Sequence, residues 1–214
     1  MKGVIFDLDG VITDTAKFHF EAWKRLAQEK FSLDLPAEFE TQLKGVSRTE
    51  SLRRILKFGQ ITLSQEELEE YATQKNAYYL SSIEKLTSAD ILPGIKELLV
   101  ELKEHNIKIA LGSASNNAPF ILEKLGLMSY FATIVDPKKV LHGKPAPDIF
   151  LVGAEQLGLS ATQCVGIEDS VAGITAIKDA QMLAVGVGNA EELKQADIIV
   201  PSTKQLTYAL LSKL

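Results

Sequence analysis

Two aspartates stand two residues apart in Phe6-Asp7-Leu8-Asp9-Gly10, where an apolar run meets a glycine. On an extended backbone such side chains point to the same side, so Asp7 and Asp9 can both reach one reacting group. One carboxylate could attack an electrophile while the other moves a proton. The same pattern suits an Asx turn whose carboxylates bond local amides, and on these residues alone the two readings stand level. A second acidic pair, Glu168-Asp169, closes another apolar run ahead of Ser170 and a helical pattern. Adjacent carboxylates repel unless a cation or a donor lies between them, and an all-oxygen set favours Mg²⁺. A helix cap formed by Asp169 or Ser170 is an equally open reading.

Two further stretches offer groups that could hold phosphate oxygens. Leu111-Gly112-Ser113-Ala114-Ser115 ends an apolar run with hydroxyls and accessible amides, and such turns bind anions. Lys144-Pro145-Ala146-Pro147-Asp148 sets a lysine just before a helix, where proline suits the first turn. Singly, a strand-end serine and a solvated lysine explain these residues. Jointly, four strand ends supply a nucleophile candidate, a hydroxyl, a cation and a metal pair, and the joint functional reading outweighs the bland one.

Those residues need a scaffold that brings strand ends together. Short apolar, β-branched runs at 3–8, 107–111, 133–135, 165–167, 184–187 and 198–200 read as buried strands. Helical patterns at 95–104, 119–125, 148–157 and 172–179 alternate with them, and Gly126 and Gly158 serve as C-terminal stops. The expectation is an α/β fold, a doubly wound, Rossmann-like parallel sheet whose ligands bind beyond the carboxyl ends of its strands. Residues 14–90 break the alternation with four helical stretches, 15–30, 37–43, 49–58 and 65–86, the last opened by a Ser64/Glu67 capping box. The expected organisation is therefore a core of 1–13 and 91–214 interrupted by a helical cap of 14–90, placed to act as a lid.

The cap carries its own candidates. Lys44, Gly45, Val46 and Arg48 form a short cationic turn, with Ser51 one helical turn further on, and such a turn could clamp a phosphate. His19 and Trp23 are four apart and share a helix face. A core role for Trp23, a structural role for His19 and a solvated Lys75 are the simpler alternatives.

Composition limits the partners. With 214 residues, 46% hydrophobic and 24% charged, the chain is long enough for a real core and is not disordered. A net charge of -5 gives no field for nucleic acid or an anionic membrane, so an anionic small molecule must be held by a few placed cations. The single Cys164 allows no intramolecular disulfide, and Asp7 and Asp9 interrupt the N-terminal apolar run before it could serve as a signal core. The expected location is the cytoplasm, without membrane contact.

The four strand-end motifs, Asp7-Leu8-Asp9-Gly10, Ser113, Lys144-Pro145 and Glu168-Asp169, resemble in kind and order those of the haloacid dehalogenase (HAD) superfamily of phosphotransferases. The resemblance implies that Asp7 is a nucleophile that becomes phosphorylated and that Asp9 is the general acid and base. It implies one Mg²⁺ held by Asp7, the backbone carbonyl of Asp9, Glu168 and Asp169, with Ser113 and Lys144 on the transferring phosphoryl group. Through the cap, the chain is similar to those members that interconvert β-glucose 1-phosphate and glucose 6-phosphate by way of β-glucose 1,6-bisphosphate. Arg48, Ser115 and Asn117 would then grip the second phosphate, and Lys44, Gly45, Val46, Ser51, Trp23 and Lys75 would meet the sugar. Thr15 and His19 would bring Asp9 into line. Asn116 departs from that likeness, standing where a lysine does in the pattern, and a Mg²⁺-dependent sugar-phosphate phosphatase is the alternative. The likeness also implies a monomer. A signalling receiver domain fits poorly, since the acceptor pattern lies on the first strand with a large insertion directly after it.

Overall fold

The computed structural model describes residues 1–214. Its sheet follows from alternation within short apolar runs: Val4 and Phe6 pack into one cluster and Ile5 into another, on the two faces of one strand. The strands are β1 (Gly3–Phe6), β2 (Lys108–Leu111), β3 (Thr133–Ile134), β4 (Cys164–Glu168), β5 (Leu183–Val187) and β6 (Ile198–Val200). They form one sheet of order β3-β2-β1-β4-β5-β6, and every pairing is parallel. The order reverses at β1, which lies between β2 and β4. A crevice opens at such a reversal beyond the carboxyl ends, and the acidic motifs sit there.

The helices are α1 (Ala16–Phe31), α2 (Glu40–Leu43), α3 (Arg48–Phe58), α4 (Gln65–Ile83), α5 (Ile95–Glu104), α6 (Ala118–Lys124), α7 (Asp148–Gln156), α8 (Val171–Asp179) and α9 (Tyr208–Leu211). Leu98, Leu99 and Leu102 of α5 and Ile121 of α6 cover one sheet face; Ile149 and Phe150 of α7 and Ile174 and Ile177 of α8 cover the other. The segment between β1 and α5 is helical, as its periodicity predicts. Phe20, Trp23 and Leu26 of α1 pack against Leu52, Ile55 and Leu56 of α3 in a third apolar cluster. The opposite side of the same segment joins the core, since Ala22 of α1 and Tyr79 and Ile83 of α4 belong to the cluster on the sheet. The expected capping box opens α4, with Ser64 accepting from the Glu67 amide and Glu67 accepting from that of Ser64. No helix is long and apolar enough to cross a membrane.

Several boundaries differ from the sequence expectation. The first strand ends at Phe6 rather than at residue 8, because the Leu8 carbonyl accepts from the amides of Val11, Ile12 and Thr13 and turns the chain tightly. The 37–43 stretch divides into a 3-10 turn at Ala37–Phe39 followed by α2. Helix α4 stops at Ile83, so Leu86 is buried from a turn and not from the helix. The proline adjoining α7 is Pro147, at the cap, and Pro145 lies outside the first turn.

Candidate active site

The ends of β1 and β4 and the loop before α7 deliver three buried charged groups, Asp7, Glu168 and Lys144, to one point. The Asp7 amide donates to the Ile167 carbonyl at 2.9 Å, extending the ladder one residue past β1. Lys144, on the loop before α7, donates to Asp7 Oδ1 and to Glu168 Oε1, each at 2.6 Å. The second Glu168 oxygen accepts from the amides of Asp169 (2.8 Å) and Ser170 (2.7 Å) and from the Ser170 hydroxyl (2.9 Å). Ser170 is also the N-cap of α8, accepting from the Gly173 amide, so the cap falls to Ser170 and leaves Asp169 free to face the crevice.

Burial raises the Asp7 carboxyl well above the usual range, with the Lys144 ammonium pulling the other way. Burial opposes the charge on Lys144 as well, yet Asp7 and Glu168 together hold its pKa above the ordinary lysine value. Asp169 is pushed up to about 7 by burial and by Glu168, and its nearest cation, Lys44, stands 3.6 Å away. One carboxylate oxygen from each of Asp7, Glu168 and Asp169 lies within 4.8 Å of the others. Three hard oxygen donors around a carboxylate short of positive charge fit Mg²⁺.

Asp9 faces the same crevice from the turn after β1. The Thr15 hydroxyl donates to Asp9 Oδ1, and the Tyr79 hydroxyl donates to Thr15 Oγ1 at 3.1 Å, so an all-hydroxyl relay from α4 orients the carboxylate. Burial raises the Asp9 pKa, with the Thr15 bond opposing. Gly10 adopts φ +73°, and a Cβ there would strike the Asp169 carboxylate, so the turn is closed to other residues. Beside the relay, Lys75 Nζ lies 2.6 Å from His19 Nδ1 and over the rings of Trp23 (4.8 Å) and Tyr79 (4.9 Å). Burial, then Lys75 and Arg48, hold His19 well below the ordinary histidine value, so its ring is neutral at pH 7. With Nδ1 taken by Lys75, the buried Nε2 has no partner and is the atom left for a ligand.

The cap closes the cavity from above. Asp7, Asp9, Ser113, Ser115 and Asp169 of the core line it together with His19, Trp23, Lys44, Gly45, Val46, Arg48 and Ser51 of the helical segment. Trp23 is thus both cap core and cavity wall. Thr15, Lys75, Asn117, Lys144 and Glu168 stand outside the lining, each in direct contact with a lining residue: Asp9, His19, Ser115, Asp7 and Asp169 respectively. The cap loop lies very close to the core: a Cβ on Gly45, whose φ is +72°, would strike Ser170 Oγ. At α3, Arg48 Nη2 donates to Asn76 Oδ1 at 2.7 Å. Glu40, Asn76 and Tyr79 take part in the site or its support without a local signal. The partners of Asn76 and Tyr79 lie 28 and 64 residues away in the chain, and only the fold brings them together.

A crevice at the sheet reversal, with carboxylates from two strand ends, a lysine between them and a helical cap, defines a phosphoryl-transfer class. The haloacid dehalogenase-like hydrolase family model matches residues 1–181, and the chain belongs to that family. Within it, the chain is 50% identical to the β-phosphoglucomutase of Bacillus subtilis over 99% of its own length and 94% of that protein. A crystal structure of β-phosphoglucomutase from Clostridium difficile superimposes with a TM-score of 0.97 at 49% identity, covering 100% of this chain and 96% of the other. A fructose-1-phosphate phosphatase of Escherichia coli is 33% identical over 86% of this chain and 95% of that protein.

Proposed function

We propose that the protein is a β-phosphoglucomutase, an isomerase that interconverts β-D-glucose 1-phosphate and D-glucose 6-phosphate through an aspartyl-phosphate enzyme and β-glucose 1,6-bisphosphate. One observation carries the reading: a single cavity is lined by the Asp7–Asp9 pair and by Arg48 over Ser115 and Asn116, so a sugar can be held by one phosphate while another is transferred. The near-complete match to mutases supports it.

In this mechanism Asp7 attacks phosphorus and becomes phosphorylated as the bond to the leaving oxygen breaks, while Lys144 and Ser113 offset charge on the transferring oxygens. Asp9 accepts the proton of the attacking sugar hydroxyl as phosphoaspartate yields its phosphoryl group, giving the bisphosphate. The bisphosphate turns over, Asp7 attacks its other phosphate, and Asp9 returns the proton to the leaving oxygen. Its raised pKa favours both duties. Asp7, the Asp9 carbonyl, Glu168 and Asp169 would hold Mg²⁺, which supplies positive charge to the transferring group. Arg48 and Ser115 hold the second phosphate, with Asn117 behind the lining setting the Ser115 hydroxyl through its amide. Lys44, Gly45, Val46, Ser51 and Trp23 face the sugar, and Thr15, His19 and Lys75 set Asp9 and the cap wall.

The proposal divides the chain into a core of 1–13 and 91–214 and a cap of 14–90, and takes the working unit to be a cytoplasmic monomer acting on small sugar phosphates. The lone buried Cys164 accords with a reducing setting. The test supplies β-glucose 1-phosphate, Mg²⁺ and a trace of bisphosphate, and follows glucose 6-phosphate and inorganic phosphate separately. Isomer without matching phosphate release is expected; stoichiometric phosphate with no isomer would replace the mutase by a phosphatase.

A further inference from the structure

The geometry points to Asn76 as the positioning residue of the second-phosphate subsite, a neutral acceptor that joins cap to core through one carbonyl oxygen; the inference rests on the mutase reading above. Asn76 Oδ1 accepts from Arg48 Nη2 at 2.7 Å and from Asn117 Nδ2 at 2.8 Å. The three residues come from the first position of α3, the middle of α4 and the N-cap of α6.

A guanidinium has donors only, so the Asn76 atom facing Arg48 must be its oxygen. That oxygen in turn obliges Asn117 to present its amide hydrogens. One carbonyl therefore orients both an arginine and a second amide. Arg48, Ser115 and Asn116 line the cavity and Asn76 does not, so any effect of Asn76 on a ligand runs through the groups it aims.

Neutrality is the second part of the inference. A carboxylate at 76 would form a charge-assisted pair with Arg48 and commit to a fixed partner the charge that a phosphate needs. The amide fixes the same direction and leaves the net charge in place. Arg48 rides on the cap and Asn117 on the core, so both bonds to Asn76 coexist only with the cap down. The grip on the second phosphate is then assembled by closure itself, which favours transfer to a held sugar over transfer to water.

The test compares full-length wild type, Asn76→Ala and Asn76→Asp in forming phosphoenzyme from two donors. β-Glucose 1,6-bisphosphate carries a second phosphate and acetyl phosphate does not. For Asn76→Ala the KM for the bisphosphate is expected to rise about tenfold more than the KM for acetyl phosphate, in line with loss of a hydrogen bond to a charged group. Asn76→Asp, which preserves shape and acceptor, is expected to show at least the same donor contrast. Equal changes with both donors would mean a general structural role, and no change, or wild-type behaviour of Asn76→Asp, would also overturn the proposal. Should the alanine variant fail to fold, the near-isosteric aspartate variant still decides. A wild type that releases phosphate and makes no isomer would refute the mutase reading by itself, whereas the donor contrast reports on Asn76 alone.

Discussion

Lys75 is a charge placed where the protein opposes it. Burial and then Arg48 pull its pKa down from 10.5 to about 7, although the Trp23 and Tyr79 faces favour a cation. Between those two values the unfolded chain binds a proton that the native state does not, so this group makes stability rise with pH across the window. Below about 7 both states are protonated and the penalty is constant. Lys75→Met removes the titration and leaves His19 Nδ1 without its partner, a cost that does not vary with pH in this range. The stability of Lys75→Met minus that of wild type is therefore expected to fall by about 1.4 kcal/mol per pH unit between pH 7 and 10, as read by urea unfolding at several pH values; a flat difference would place the Lys75 pKa outside the window. Asp7 gives a sharper test, because a carboxamide cannot act as the anionic nucleophile. Asp7→Asn is expected to incorporate no label from a phosphorylated donor, and retained label would move the nucleophile elsewhere. Asp7 and Asp9 are legible in the sequence because they stand two residues apart at the end of an apolar run. Tyr79 is not, because its hydroxyl reaches Asp9 only through Thr15.

The cap loop acts as an element through a close approach. Gly45 combines φ +72° with a Cβ position that would strike Ser170 Oγ, so alanine there faces both a left-handed backbone, costing about 1 kcal/mol, and a collision on closure. Gly45→Ala is expected to lower kcat/KM for β-glucose 1-phosphate by tenfold or more. Adding Ser170→Gly, which removes the struck atom and costs little as an N-cap, is expected to restore part of that loss relative to Ser170→Gly alone. Strict additivity in this cycle would show that the two loops do not meet in the working enzyme. Elements with long periodic signals were readable: α1, α3 and α5 lie within a residue or so of their expected ranges. Short ones were not. The four residues of α9 rest on a Thr207 cap and one buried leucine, Leu211, too little pattern to stand out, and residues 37–43 read as one helix because a 3-10 turn spaces its apolar residues almost as an α-helix does.

Across the whole molecule, a net charge of -5 is compatible with anion binding because the cations are placed rather than numerous: Lys44 lies 3.6 Å from Asp169, and Lys144 is buried between two carboxylates. The cap is not a free-standing body. Tyr79, Ile83 and Leu86 share the core cluster with β1 and α5, so melting the cap strips apolar cover from the sheet. Trp23 is the only tryptophan and lies buried in the cap cluster, so its fluorescence reports the cap while far-UV circular dichroism reports the whole chain. Coincident thermal transitions by the two probes are expected, as for one cooperative unit; an earlier fluorescence transition would show that the cap melts by itself. A cation at Asp7, Glu168 and Asp169 binds only the folded core edge, so Mg²⁺ at about a hundred times its Kd should add about 2.7 kcal/mol. Cooperativity then requires both probes to shift upward together, although the metal touches no helix of the cap. Chelation should return both to the metal-free value, and Asp169→Asn should respond to neither treatment. A shift confined to circular dichroism would show that the core is stabilised without the cap.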